Sequence, residues 1–99
     1  MAQFDYYRNP NGDGYLLDVQ ADMLADLNSR VVVPLMPSRR APRPAGHLNP
    51  TFAIEGNDFV MATQFIAAVP AKELQQHVGT LAAERYALQR AIDIVFSGI

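Results

Sequence analysis

No cysteine occurs among the 99 residues. That absence excludes a disulfide framework and any thiolate chemistry, and it suits a reducing, cytoplasmic setting. No apolar run approaches the roughly 20 residues needed to cross a membrane, so no membrane association is expected. The opening MAQFDYYR has neither a basic region nor an apolar stretch, and no signal peptide is expected from it. Charge of either sign is scarce: eight Lys and Arg stand against ten Asp and Glu, for a net charge of −2. That balance argues against a dedicated nucleic-acid binder, although charge is gathered locally. The two histidines, His47 and His77, lack metal-ligand spacing and are expected at the surface. The glycines of Asn11-Gly12-Asp13-Gly14 precede a strand rather than a helix, which excludes a dinucleotide-binding loop.

What is present fits one small domain over residues 1–99, about half of it apolar. A chain of this size buries only about two-thirds of its unfolded surface, and dimerisation is an ordinary remedy for the marginal stability that results. Strands are expected over about residues 3–69. Gln3 to Arg8 reads as the first, with Phe4 and Tyr6 on one face. Asn9 to Gly14 is a dense turn signal, and Tyr15 to Val19 completes a hairpin. Asp22 to Asn28 is a loop or a single helical turn. Arg30-Val31-Val32-Val33-Pro34-Leu35 is the strongest β signal, with Pro34 expected at a strand end or an edge because it lacks an N–H. Pro37 to His47 holds three prolines and is expected to be a mobile loop over about residues 37–47. A second hairpin follows over Thr51–Ile54 and Phe59–Gln64, turning at Glu55 to Asp58, and the sheet continues to Val69.

After Pro70 the period changes. Leu74, Val78, Leu81, Leu88, Ile92, Val95 and Ile99 recur at spacings that fit one helical stripe, with Arg85 in the same register. Gly79-Thr80 divides it into a short helical turn and a main helix over about 81–97, with Thr80 as its N-cap. Tyr86, Arg90, Asp93 and Ser97 form a polar seam on the opposite side. Ile94 and Phe96 make the last two turns apolar over most of their circumference. One small sheet cannot cover such a helix, and a second subunit is expected there. A mainly β fold with a C-terminal α-helix, as a strongly bent sheet or small barrel crossed by that helix, is the natural packing.

The carboxylates are scattered and read as solvated charges and turn residues. Asp18 is set apart by its apolar strand, where it either faces solvent or bonds to a turn. Met36 and Met61 read as core filling. The only local basic patch is Arg39-Arg40-Ala41-Pro42-Arg43, without the interleaved aromatics of a single-strand stacking platform.

Four separated motifs carry a resemblance that covers nearly the whole chain. They are Leu17-Asp18-Val19-Gln20-Ala21-Asp22, Arg30-Val31-Val32-Val33-Pro34-Leu35, Ala68-Val69-Pro70, and the closing Ala91 to Ile99 with Phe96-Ser97-Gly98-Ile99 at its end. In order and spacing the chain resembles the CcdB toxin family. The resemblance implies an SH3-like small antiparallel barrel of the CcdB/MazF-like kind. It implies a homodimer with its helices side by side, the interface carried by Ala91, Ile92, Ile94, Val95 and Phe96. It implies a non-enzymatic toxin, with no catalytic residue, cofactor or metal, that binds the breakage-and-reunion subunit of DNA gyrase and traps the cleaved-DNA state, as in plasmid-maintenance modules. Ser97, Gly98 and Ile99 would form the target-binding tip, with Asp93 and Arg90 beside it. A CcdA-like antitoxin with a disordered tail would relieve the toxicity, and DNA would be reached only through that complex. One position departs from the family: Ser97 stands where a tryptophan anchor is usual, and truncating such an anchor costs roughly 2–4 kcal/mol. Two alternatives therefore stand beside this reading. One is a diverged relative with a lost or changed target. The other is a MazF-like endoribonuclease using an arginine as acid and Arg39, Arg40 or Arg43 to hold RNA.

Overall fold

The computed structural model describes residues 1–98. Seven strands, β1 (Asp5–Arg8), β2 (Tyr15–Asp18), β3 (Ser29–Pro37), β4 (Thr51–Ile54), β5 (Asn57–Met61), β6 (Ala67–Pro70) and β7 (His77–Thr80), precede one helix, α1 (Arg85–Ser97). The strands pair antiparallel in the order β4-β5-β3-β2-β1-β7, with β6 added beside β3. Single turns of 3-10 helix fill the connections, among them Asp22–Leu24, Thr63–Phe65 and Ala82–Glu84. This is the expected mainly β architecture with a C-terminal helix, a curled antiparallel sheet of the barrel-forming kind.

The valine-rich β3 organises the sheet. Along one side it pairs with β2, from Tyr15 opposite Leu35 to Asp18 opposite Val32. Along the other it changes partner midway: Ser29 to Val32 pair with β6, and Leu35 to Pro37 pair with β5. Pro34 sits in the gap between those two partners, inside the strand rather than at the end or edge its missing N–H suggested. Its carbonyl still accepts the Ala62 N–H at 2.9 Å, so its backbone polar side faces that gap, where no ladder bond is required of its nitrogen.

Two hairpin turns follow from local chemistry. At the first, the Asn11 N–H donates to the Asn9 side-chain oxygen at 2.9 Å, and the Asn9 N–H to the Gly14 carbonyl at 3.1 Å. Gly14 has φ 92° and lies against the Leu35 carbonyl, leaving no room for a side chain. At the second, Glu55 and Gly56 both have positive φ, 52° and 82°, the geometry of a two-residue hairpin loop matched to strand twist.

Further expectations are corrected at Phe4, over residues 74–80 and at Thr80. Phe4 is not a strand residue: its φ is 73°, and the strand begins at Asp5. Its N–H donates to the Asp18 carbonyl at 2.6 Å, its carbonyl accepts the Leu81 N–H at 2.8 Å, and its ring is fully buried beneath the Arg85 guanidinium. Residues 74–80 are not helical either. His77–Thr80 is the strand β7, paired with β1. Thr80 does not cap the main helix; its hydroxyl accepts the Ala82 N–H at 3.2 Å and so starts the 3-10 turn that leads into it.

The main core lies between the sheet and α1. Leu17, Val33, Leu35 and Met61 from the strands meet Leu88 and Ala91 of the helix, all with no exposure. Tyr7, Leu16, Val32 and Leu74 form a smaller cluster on the other face of the sheet. Met61 fills the core as expected, whereas Met36 is only half-buried.

Candidate functional site

The last two turns of α1 hold the site that the sequence singles out. Leu88 and Ala91 seat the helix, and Ile92 packs part of its surface on the same core. Ala91, expected at a subunit interface, is used entirely inside its own protomer. Ile94 and Val95 stay half-buried, and Phe96 leaves 72% of its surface exposed. Together with the partly exposed Ile94 and Val95, this ring makes the helix end an apolar patch, and contiguous apolar patches are what partners cover.

The helix closes on Gly98, whose φ of 75° lets its N–H reach back to the Ile94 carbonyl at 3.0 Å. Ser97 turns inward: its hydroxyl donates to the Asp93 carbonyl at 2.7 Å. Asp93 is also steadied, its carboxylate accepting the Gln89 amide at 3.2 Å. Arg90, Asp93, Ser97 and Gly98 are all exposed, so four of the five expected tip residues share one accessible end of the molecule. Ile99, the fifth, lies outside the described residues. Tyr86 stands 92% exposed a few turns before, at the head of the polar seam.

A second exposed apolar element was missed in the sequence. Between β2 and β3, Met23 is 89% exposed, Leu24 46% and Leu27 52%. Three apolar side chains in one short solvent-facing loop are unusual, and the loop is not loose. The Gln20 side chain accepts the Val31 N–H at 3.0 Å and donates to the Leu24 carbonyl at 2.9 Å, while Asp22 accepts the Gln3 N–H at 2.8 Å. The available signal was the Met-Leu pair between two aspartates, too polar a setting for core residues.

Beneath that loop lies a buried ion pair. Asp18 neither faces solvent nor serves only a turn. Its carboxylate accepts two bonds from Arg30, at 2.6 and 3.0 Å, and one from the Gln20 N–H at 3.0 Å, with both charged side chains essentially unexposed. Burial raises the Asp18 pKa, and the bonds from Arg30 and Gln20 partly offset that rise. Among the described residues, Arg30 Nη1 has no hydrogen-bond partner.

The remaining candidates lie outside α1, although the 3-10 turn Gly46–Leu48 that carries His47 packs against that helix. His47 and His77 are exposed as expected, the latter 3.3 Å from Asp5. Arg39 and Arg40 gather at Asp13, beside the first hairpin turn. Among the described residues no cluster of three His, Asp or Glu side chains is arranged to hold a metal ion, and no helix is long and apolar enough to cross a membrane.

Comparison with known proteins agrees with this geometry. A family described as CcdB protein matches residues 3–98. No curated protein sequence matches the chain. Solved structures share its shape: an endoribonuclease bound to its cognate antitoxin from a mycobacterial species aligns with a TM-score of 0.75, covering 96% of this chain and 93% of that one at 16% identity. The Mycobacterium tuberculosis toxin MazF-mt6 aligns with a TM-score of 0.74, again at 16% identity, over 93% of this chain and 94% of that one. At such identity the likeness speaks for the fold alone.

Proposed function

The chain belongs to the CcdB family, whose members are toxins of toxin–antitoxin modules, and we propose that it acts without catalysis, as a homodimer whose exposed helix ends dock on the breakage-and-reunion subunit of DNA gyrase. The observation that carries this reading is the bare Phe96 ring on a helix end locked by its glycine cap. A poison of this kind needs a rigid, self-complementary two-fold surface rather than bond-making groups. Ile94, Val95 and Phe96 supply apolar area for the pairing, and Arg90, Asp93, Ser97, Gly98 and Ile99 supply the contact edge. The exposed Met23-Leu24 loop offers further apolar area for a partner. A CcdA-like antitoxin, acting in the same cytoplasm, would neutralise the toxin by covering these surfaces with a tail that folds on binding.

The inward bond of the Ser97 hydroxyl supports a second reading, a diverged toxin with another target. A side chain satisfied by its own helix offers a partner less than a large aromatic anchor does. Expression of the toxin alone, in cells with ordinary or poison-resistant gyrase, separates the two. Arrest that disappears with the resistant allele supports gyrase docking. Arrest that ignores the allele supports the changed target.

A further inference from the structure

The basic loop after β3 has no part in the helix tip, yet the fold gives it a definite setting. Arg39 and Arg40 both turn back onto Asp13, with guanidinium nitrogens 3.9 and 3.2 Å from the same carboxylate oxygen. All three side chains are at least half exposed, so these pairs contribute little to stability. Two guanidinium groups converging on one oxygen form a seat for an oxyanion, and Asp13 occupies it from within the chain.

Beside that seat is a cleft of about 330 Å³ lined by Asn9, Asn11, Met36, Arg40 and Phe65. Phe65 is far from the arginines in sequence, which is why no aromatic was expected near them. The 3-10 turn Thr63–Phe65 brings it alongside, with half of its surface exposed. A second cleft of about 540 Å³ shares Asn9, Gly12 and Asp13 and adds Arg8, Ser38 and Arg39. The two flank the same hairpin turn, with Arg8, Arg39 and Arg40 set against the carboxylates of Asp13 and Asp58, amide groups in the walls and the half-exposed Phe65 ring beside the smaller cleft; together they form a furrow.

We propose that this furrow binds single-stranded nucleic acid, with a phosphate replacing Asp13 between Arg39 and Arg40 and an unstacked base lying on Phe65. Arginine forks suit phosphate oxygens, and an exposed ring accepts any base face. The asparagine amides can meet base edges or sugar hydroxyls. A duplex hides its base faces, so it would engage the arginines without the ring. An acidic peptide would meet the arginines but would not use a row of amides beside a flat ring. No residue of α1 lines either cleft, and the proposal stands or falls independently of the gyrase reading.

Fluorescence anisotropy of labelled oligo-dT and oligo-U, about 12 nucleotides long, tests it with the intact protein. Binding in low salt is expected, weakening as salt rises with a log–log slope of about −0.7 for each phosphate contacted. The two oligonucleotides distinguish DNA from RNA. Phe65→Ala should weaken single-strand binding about 10-fold and leave duplex binding unchanged. Arg39→Gln with Arg40→Gln should weaken both and flatten the salt slope. Asp13→Asn removes the internal competitor and should tighten binding. A thermal melt confirms that each variant is folded. The proposal is overturned by no anisotropy change at about 100 μM protein in low salt, by variants that bind like the parent, or by tighter binding of poly-glutamate than of either oligonucleotide.

Discussion

Asp18 and Arg30 carry the largest electrostatic commitment among the described residues. Both are essentially unexposed and joined by two hydrogen bonds. Removing one partner leaves a buried charge uncompensated, at a cost of about 3–5 kcal/mol. Asp18→Ala should therefore lower urea-unfolding stability by that amount, while Asp18→Leu with Arg30→Met should recover much of it. A single substitution that costs under about 1 kcal/mol would mean that the pair is solvated in solution. Gly14 makes a similarly sharp prediction. Its positive φ and its contact with the Leu35 carbonyl leave no place for a methyl group, so Gly14→Ala should cost more than about 1 kcal/mol. Two tyrosines contribute to the loss of stability at alkaline pH. Burial raises the pKa of Tyr6 and of Tyr7 above the ordinary value of 10.0, and neighbouring acidic groups add to the rise, which Arg30 partly offsets at Tyr7. Below that value both phenols are protonated in the folded and unfolded states, and their contribution is fully present. As pH climbs toward the raised values the unfolded chain ionises first, so stability falls. Tyr6→Phe and Tyr7→Phe should flatten that alkaline decline in denaturation midpoints; an unchanged slope would contradict the assignment. The residues hardest to read from sequence were of this kind. Nothing in an apolar strand says that Asp18 will meet an arginine twelve positions on, and nothing near Phe4 announces a left-handed backbone held by bonds to Asp18 and Leu81.

At the level of elements, local chemistry was legible where it acts locally. The Asn-Gly-Asp-Gly turn, the valine run of β3 and the stripe of α1 each carry their own signal, and each appears in the fold. The stretch from Leu74 to Thr80 misled because its apolar spacing fits a helix. Its conformation is decided by pairing with β1, at the far end of the chain, and tertiary pairing overrides local period. Pro34 misled for a related reason: its missing N–H falls in a gap created by two other strands, which no local reading contains. The β4–β5 turn offers a test at this scale. Glu55 is a long side chain held at φ 52°, where asparagine is tolerated better. Glu55→Asn should stabilise the hairpin by about 0.5–1 kcal/mol, seen as a higher melting temperature. A lower one would show that the turn is not of this type.

At the level of the whole molecule, the notable surface is of two chemical kinds. One is apolar: Phe96 with the half-buried Ile94 and Val95 at the end of α1, and elsewhere the loop of Met23, Leu24 and Leu27. The other is the polar furrow around the first hairpin turn. The fold and the exposed helix seam were legible in the sequence; the apolar loop and the placement of Phe65 beside the arginines were not, because both depend on how distant segments meet. If the apolar helix end joins two copies, sedimentation equilibrium should report a dimer, and Phe96→Glu should shift it toward monomer without unfolding the chain. A monomer at every concentration tried would remove the two-fold surface that docking on gyrase requires. The most direct measurement is a gyrase cleavage assay with the purified toxin. The intact chain should accumulate linear DNA trapped on gyrase, and a variant lacking Gly98 and Ile99 should trap none while melting like the parent. Equal trapping by the truncated protein, or none by the intact one, would contradict the account.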